Sequence, residues 1–291
     1  MANGIIIIDK PTDWTSMDIC AKLRGILKEK KIGHAGTLDP MATGVLPVFI
    51  GNATRAVEFA EKGDKEYIAG LRLGIETNTQ DTTGEILVER PVTVDRTAVE
   101  AILSRFVGEI AQIPPMFSAI KIGGKKLYEM ARAGKEVERA ARNIIIREIE
   151  LLEQVAENEY LLRVRCSKGT YIRTLCHDIG TALGCGGCMA SLRRTMAAGF
   201  TLADAVTLEQ VQEQGEALLA PTDLYFRNYE KYVLTNARQE HLCRNGNPVG
   251  VKHLVEGQTY RIYSADGEFL CISRYENGVL TSIKNFFGRC V

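Results

Sequence analysis

A loop rich in glycine and proline carries the residue with the clearest chemical potential. Residues 33–47 contain three glycines, two prolines and a single acidic side chain, Asp39. This composition predicts that no long regular helix or strand forms here. The residue before a proline is driven out of the helical region, so we expect Asp39 on extended or turning backbone. A lone carboxylate with little bulk around it can approach a large substrate closely, although an Asp-Pro pair also simply begins a turn.

Two other stretches combine residue types that suit chemistry. Residues 166–173 are predicted to follow a strand and open a helix, where Lys168 and backbone N–H groups suit an anion. Arg173, in the first turn of that helix, can reach back to a carboxylate. Tyr67 brings an aromatic hydroxyl to the inner face of a predicted strand. Taken singly, these features also fit a turn, a surface arginine and a core tyrosine.

Charge is unevenly distributed along the chain. The net charge is zero, with 36 basic and 36 acidic residues, yet residues 117–147 carry eight Lys and Arg against three Glu. A neutral protein with a concentrated basic segment can present a positive face to phosphates. The alternative is an ordinary solvated surface.

The elements that must position these residues can be read from periodicity and turn signals. A strand over 4–9 leads into a turn in which Thr15 or Ser16 caps a helix. Asp266-Gly267 and Asn277-Gly278 are strong hairpin signals. Helices are predicted over 17–29, 54–62, 94–107, 127–133, 171–183, 207–215 and 236–244. Further strands are predicted over 65–73, 143–152, 159–166, 259–264, 268–274 and 278–285.

Length and composition favour one large domain and one small one. The chain has 291 residues, 45% of them hydrophobic and 25% charged, which supports a substantial core. We predict an α+β fold, in which a large mixed, mostly antiparallel sheet is flanked by helices and carries the site in a cleft across its middle. Composition shifts near residue 229, so the predicted domains are 1–229 and a small β-rich unit, 230–291.

Cysteine usage and hydropathy predict the compartment. The eight cysteines are scattered through the chain, which favours reduced thiols. Cys185 and Cys188 form the only CxxC pair, and without a second pair no metal site is expected. No apolar run approaches the roughly 18 residues that span a bilayer. The sequence therefore predicts a cytoplasmic protein without a membrane segment.

Seven sequence blocks together resemble a known family. They are residues 8–11, 33–47, 65–67, 121–128, 167–173, 183–186 and 192–195. Through these blocks, which follow the family's order within residues 4–223, the chain resembles the bacterial TruB-type tRNA pseudouridine synthases. The resemblance implies a pseudouridine synthase fold followed by a PUA-like RNA-binding domain. It also implies an isomerase, an intramolecular transferase that flips out uridine 55 in the T-loop of tRNA and converts it to pseudouridine.

The resemblance assigns roles to individual residues. Asp39 matches the nucleophilic aspartate, Arg173 the arginine that pairs with it, and Tyr67 a tyrosine that packs on the target base and is a candidate base for a ribose proton. The residues matched to substrate binding are His34, which holds the flipped nucleotide, Tyr171 and Leu192, which line the uracil pocket, Lys10, which supports that pocket, and Lys121, Lys125 and Lys126, which lie in the basic segment. The implied partner is the T-arm of tRNA, with no cofactor, no metal, no membrane and no obligate protein partner.

Two alternatives remain open at this point. A non-catalytic protein that binds or folds tRNA could use the same scaffold, although the presence of Asp39, Tyr67 and Arg173 argues against a dead enzyme. A phosphotransferase built on residues 168–170 is disfavoured, because the chain has no GxxxxGK[ST] loop.

Overall fold

Two β-sheets organise the computed structural model, which describes residues 2–288. The strands within that range are β1 (Gly4–Lys10), β2 (Ile32–His34), β3 (Thr43–Ile50), β4 (Lys65–Leu73), β5 (Ile75–Thr77), β6 (Ile86–Glu89), β7 (Gly108–Gln112), β8 (Lys121–Ile122), β9 (Lys125–Lys126), β10 (Arg142–Ala156), β11 (Glu159–Cys166), β12 (Gly187–Ala197), β13 (Phe200–Thr201), β14 (Glu230–Val233), β15 (Val249–Gly250), β16 (Thr259–Tyr263), β17 (Phe269–Glu276) and β18 (Val279–Asn285). The helices there are α1 (Ser16–Leu27), α2 (Val57–Ala60), α3 (Arg96–Leu103), α4 (Leu127–Arg132), α5 (Ile172–Ala182), α6 (Leu208–Gln214) and α7 (Ala237–Arg244).

The larger sheet has the strand order β1-β3-β12-β4-β11-β10-β7, with β2 on β3 and β13 on β12. Strand β12 runs parallel to β3, and the other pairings in this sheet are antiparallel. Helices α1 and α5 pack against this sheet through their buried apolar residues. The predicted α+β class and the mixed, mostly antiparallel sheet are therefore confirmed.

Strand β3 corrects the prediction that residues 33–47 contain no long strand. Seven of the eight residues of β3 pair with β1, and Pro47 lies opposite Ile7. The Pro47 carbonyl accepts a hydrogen bond from Ala35 N at 2.9 Å, on the side of β3 that faces away from β1. The Pro47 nitrogen, which has no hydrogen to donate, lies on this same side, between the residues of β3 that pair with β12 and those that pair with β2. A proline is tolerated there because no ladder bond is lost.

Contacts near both ends of α5 fix its position. A Cβ at Gly180 would lie 2.2 Å from the nitrogen of Gly187, the first residue of β12. Glycine lets the helix lie directly on the strand. At the other end of α5, the backbone N–H of Tyr171 donates to Gln112 Oε1 at 2.8 Å. Both contacts fix the direction in which the first turn, with Arg173, points.

Several predicted helices are shorter than expected. The predicted helix over 94–107 is α3 followed by a 3₁₀ turn at Ser104–Phe106, and the one over 54–62 is a 3₁₀ turn at Gly51–Ala56 followed by α2.

No helix in the described part of the chain is long and apolar enough to cross a membrane.

A second sheet, with the order β14-β16-β17-β18-β15, forms the β-rich unit near the carboxy terminus. Asn277 and Gly278 both have positive φ, 53° and 80°, as a type I′ hairpin turn between β17 and β18 requires. Phe226 packs against Phe269 and Phe286, at ring-centroid distances of 6.1 and 5.3 Å, and joins this sheet to the larger part of the fold. The β-rich unit is confirmed, and the boundary at residue 229 stays a prediction.

Candidate active site

An ion pair lies at the centre of the site. Arg173 Nε is 2.9 Å from Asp39 Oδ2, which joins the first turn of α5 to the loop between β2 and β3. The Asp39 side chain is 37% exposed, whereas the Arg173 side chain is 7% exposed. The carboxylate is therefore accessible to a substrate while its cation is held inside the protein.

The loop around Asp39 is anchored on both sides of that residue. Leu38 N donates to Ser16 Oγ at 2.9 Å, and Lys10 Nζ donates to the carbonyl of Pro40 at 3.2 Å. Ala42 N donates to the Asp39 carbonyl at 3.0 Å. Because both neighbours of Asp39 are bonded to other elements, the carboxylate has a fixed position.

Arg173 has further partners that fix its planar guanidinium. Nη1 donates to the carbonyl of Thr79 at 3.1 Å, and Nη2 donates to the carbonyl of Phe117 at 2.9 Å. A second carboxylate, Asp81, is buried with Oδ2 3.7 Å from Arg173 Nε. Sequence reasoning missed Asp81, because it lies in a polar turn with no local sign of a partner far along the chain.

Tyr67 lies beside a second buried arginine, Arg194. The two residues are opposite each other in the pairing of β4 with β12, and both are buried. Burial raises the pKa of the Tyr67 hydroxyl, and the adjacent Arg194 guanidinium opposes that rise. Sequence reasoning assigned no role to Arg194, because Arg193 and Arg194 are adjacent and nothing local indicates which one faces the core.

The residues predicted to bind a base surround this centre. Leu192 belongs to the same buried cluster as Tyr67 and Leu38. His34 ends β2; burial lowers its pKa, as does the charge of Arg194, and its buried Nδ1 has no hydrogen-bond partner among the residues that the structure describes. Tyr171 directly precedes α5, and burial raises the pKa of its hydroxyl. The electrostatic influence of Arg194 on His34, and of Asp39 on Tyr171, indicates that these residues lie around the same centre.

Lys10 is fully buried behind the Asp39 loop. Its Nζ also donates to the carbonyls of Pro11 and Trp14, at 2.8 and 2.6 Å. Burial lowers the pKa of Lys10 to about 8, against the attraction of nearby Asp39. Its contact with the Pro40 carbonyl holds the Asp39 loop, and the supporting role of Lys10 in the uracil pocket stays a prediction.

The three lysines of the basic segment lie apart from this centre. Lys121, Lys125 and Lys126 occupy the β8–β9 hairpin, and none has a carboxylate within 4.0 Å among residues 2–288. The segment nevertheless connects to the site, because the Phe117 carbonyl just before the hairpin accepts from Arg173.

Cys185 and Cys188 are both buried, and burial raises the pKa of the Cys188 thiol to about 11. In the described range, no three His, Cys, Asp or Glu side chains are grouped as a metal site requires.

We expect replacement of Arg173 by methionine to destabilise the fold by about 3 to 5 kcal/mol, because it leaves the buried Asp81 carboxylate without its cation. Urea unfolding of the wild type and the variant measures the difference in their free energies of unfolding. Arg193→Met is the control: Arg193 pairs with Asp9 in a partly exposed contact, for which a loss of at most about 1 kcal/mol is expected. Equal losses in the two variants would show that Asp81 does not depend on Arg173.

The comparisons with known proteins agree along nearly the whole chain. Residues 24–172 match the TruB family pseudouridylate synthase (N terminal domain), and residues 173–224 match the tRNA pseudouridylate synthase B C-terminal domain. The tRNA pseudouridine synthase B of Alkaliphilus oremlandii (strain OhILAs) is 47% identical over 273 residues, which cover 93% of this chain and 89% of that protein. Its counterpart in Cupriavidus metallidurans is 43% identical over 289 residues, 96% of this chain and 92% of that protein.

Solved structures share the fold. The crystal structure of a Cbf5-Nop10-Gar1 complex contains a chain that is 26% identical, with a TM-score of 0.72, covering 99% of this chain and 86% of that one. The Nop10-Cbf5 complex of an archaeal box H/ACA sRNP gives a TM-score of 0.70 at 25% identity, covering 99% of this chain and 88% of that one.

Proposed function

Since the chain belongs to the TruB family of pseudouridylate synthases, we propose that it isomerises uridine 55 in the T-loop of tRNA to pseudouridine. The relatives at 43–47% identity are named tRNA pseudouridine synthase B, which supports tRNA as the substrate. The observation that carries the proposal is the accessible Asp39 carboxylate held by a buried Arg173 beside Tyr67.

The reaction leaves the atomic composition of the substrate unchanged. The bond from ribose C1′ to uracil N1 breaks, the detached uracil turns over, and C1′ bonds to uracil C5. The hydrogen on C5 leaves as a proton and N1 gains one, so no redox step occurs. Acid–base groups and a nucleophile are sufficient for such chemistry.

Asp39 is the proposed nucleophile. Arg173 holds its carboxylate through Nε, while the other guanidinium nitrogens are bound to backbone carbonyls. A guanidinium anchored in this way stays protonated and stabilises negative charge on its partner. Attack on the base, attack on the sugar, and assistance to elimination are all compatible with this arrangement.

Tyr67 is the proposed base in the elimination route. Its ionised oxygen would take the C2′ proton as the glycosidic bond breaks, becoming a neutral hydroxyl, and return the proton when the new bond forms. The ring can also pack on the base, since Tyr67 shares its apolar cluster with Leu192.

The target nucleotide must leave its stack before Asp39 can reach it, because a folded loop encloses its bases. His34, Tyr171 and Leu192 are the side chains proposed to receive the extruded uridine. A low pKa keeps the buried His34 ring neutral at neutral pH, so that it can hydrogen-bond without adding charge.

The basic hairpin is proposed to bind phosphates of the T-arm, and the β-rich unit to act as a PUA-like RNA-binding domain. Phosphate contacts position an RNA without reading its bases. Lysines that have no carboxylate within 4.0 Å in the described range 2–288 suit that task, although Lys126 also donates to the Tyr128 hydroxyl.

Replacing Lys121, Lys125 and Lys126 together by glutamine is expected to weaken tRNA binding and reduce its salt dependence. Each lost phosphate contact lowers the log–log salt slope by about 0.7 to 0.9. The saturated single-turnover rate should stay near that of the wild type, since these lysines do not touch the reacting uridine. Filter binding over a salt series measures the slope.

The control variant removes the same number of positive charges from another part of the surface. Glutamine at the exposed Lys22, within α1, and at the exposed Lys28 and Lys30, beyond its end, should leave the slope closer to the wild-type value. An unchanged slope in the hairpin variant would contradict the docking proposal and leave the assignment of Asp39 intact.

Release of tritium from uracil C5 tests the proposed activity itself. An unmodified tRNA transcript labelled at C5 should lose tritium to water in proportion to the pseudouridine formed. We expect each tRNA to release the tritium of one uridine. Tight binding without tritium release would favour the tRNA-binding alternative.

A further inference from the structure

Arg194 is a buried charge whose cost requires an explanation. It is 1% exposed, and no carboxylate of residues 2–288 lies within 4.0 Å of it. A buried cation costs several kcal/mol unless hydrogen bonds or nearby negative charge compensate it. A hydrophobic side chain would fill this position in β12 without that cost.

The backbone contacts of Arg194 involve the Asp39 loop. Nε donates to the Val45 carbonyl at 2.7 Å, and Nη2 donates to the Gly36 carbonyl at 3.0 Å. These two carbonyls lie on either side of the segment that carries Asp39. One guanidinium therefore fixes both ends of that segment.

Two glycines allow this close approach. A Cβ at Gly44, where φ is +102°, would lie 2.2 Å from the Arg194 carbonyl oxygen. A Cβ at Gly36 would lie 3.2 Å from Nη1 of the same arginine. The loop therefore packs closely against Arg194 at both of its ends.

The same guanidinium neighbours Tyr67 across the strand pair. The other titratable groups near the Tyr67 hydroxyl are Asp39 on the loop and Cys166 on β11, and Lys65 lies two residues away on β4 itself. Burial raises the pKa of Cys166 to about 11, so its thiol is neutral at neutral pH. Lys65 Nζ is bonded to the carbonyls of Glu61 and Gly63.

We propose that Arg194 is a positioning residue of the reaction, which fixes the Asp39 loop through Gly36 and Val45 and supplies the positive charge that stabilises an ionised Tyr67. This inference rests on the proposed roles of Asp39 and Tyr67. It gives the buried cation a negative partner, the Tyr67 phenolate, which is neutralised when Tyr67 takes the C2′ proton as a base and is negative again when that proton is returned.

The test compares Arg194→Gln, which removes the charge, with Arg194→Lys, which keeps it. In Arg194→Gln, the single-turnover rate at neutral pH should fall about tenfold or more, and the rising limb of the pH–rate profile should move to higher pH. Arg194→Lys should keep the wild-type position of that limb, even if its rate is lower. Arg193→Gln is the control, because Arg193 lies on the opposite face of β12 and pairs with Asp9.

A second readout does not depend on activity. The protein labelled with ¹³C at the tyrosine ζ-carbon gives a Tyr67 signal, identified by its absence in Tyr67→Phe. That signal should titrate at higher pH in Arg194→Gln than in the wild type and Arg193→Gln. Circular dichroism establishes whether each variant is folded. If Arg194→Gln does not fold, the titration is measured on Arg194→Lys.

Two results would overturn the inference. One is a Tyr67 titration that does not move between the wild type and a folded Arg194→Gln. The other is a rate that falls equally at every pH in Arg194→Gln and Arg194→Lys, as a purely structural role predicts. A wild type that forms no pseudouridine would contradict the proposed function, whereas the titration would still measure the coupling of Arg194 to Tyr67.

Discussion

Replacement of Asp39 by asparagine is expected to abolish pseudouridine formation while tRNA binding persists. The change is nearly isosteric, but an uncharged amide cannot act as the nucleophile. Arg173 keeps its bonds to Thr79 and Phe117 and its contact with Asp81, so the variant should fold. Single-turnover assays at saturating enzyme, with filter binding alongside, separate the two effects.

The matched control is Asp64→Asn. Asp64 pairs with Arg147 in a partly exposed contact outside the proposed site, and its variant should react at the wild-type rate. Turnover of Asp39→Asn within about tenfold of the wild type would exclude Asp39 as the essential group, since loss of a positioned acid–base group alone typically costs about 10² or more.

Replacement of Tyr67 by phenylalanine should slow the chemical step by about 100-fold or more, because a general base contributes roughly 10² to 10⁴ to a rate. The aromatic ring remains, so packing on the base and RNA affinity should survive. Tritium release under single-turnover conditions gives the rate, and filter binding gives the affinity.

Tyr160→Phe controls for the loss of a buried tyrosine hydroxyl in the same sheet. Tyr160 lies on β11 opposite Leu71 and is fully buried, but it has no part in the proposed site. Its variant should react as the wild type does. Equal rates for Tyr67→Phe and the wild type would remove Tyr67 from the proposed chemistry and leave it a packing residue.

Local signals predicted those parts of the fold that depend on neighbours in sequence. Thr15 caps α1 through a reciprocal pair of hydrogen bonds with Asp18, in which Thr15 Oγ1 accepts from Asp18 N at 3.1 Å. The Asn277-Gly278 turn closes its hairpin as expected. Local rules placed Arg173 in a first turn, from which it could reach a carboxylate, and the family resemblance implied that this carboxylate is Asp39, which it contacts.

Long-range pairing determined what the sequence could not reveal. Pro47 fits within β3 only because the neighbouring pairings leave a gap at its nitrogen, and no feature near Pro47 indicates that gap. Asp81 becomes a partner of Arg173 only when the polar turn after β5 lies against α5. Arg194 faces the core because β12 pairs with β4, whereas its neighbour Arg193 faces Asp9.

Mapping of the modified position shows directly whether the enzyme converts uridine 55 and whether it needs Asp39 to do so. An unmodified tRNA transcript is incubated with the wild type or with Asp39→Asn, and every uridine is then probed by a reagent that marks pseudouridine and stops reverse transcription. We expect one new stop, at uridine 55 of the T-loop, with the wild type and none with Asp39→Asn. A transcript with cytidine at that position should give no stop. Modification at another uridine would refute the proposed substrate position, and an equal stop with Asp39→Asn would refute the proposed role of Asp39.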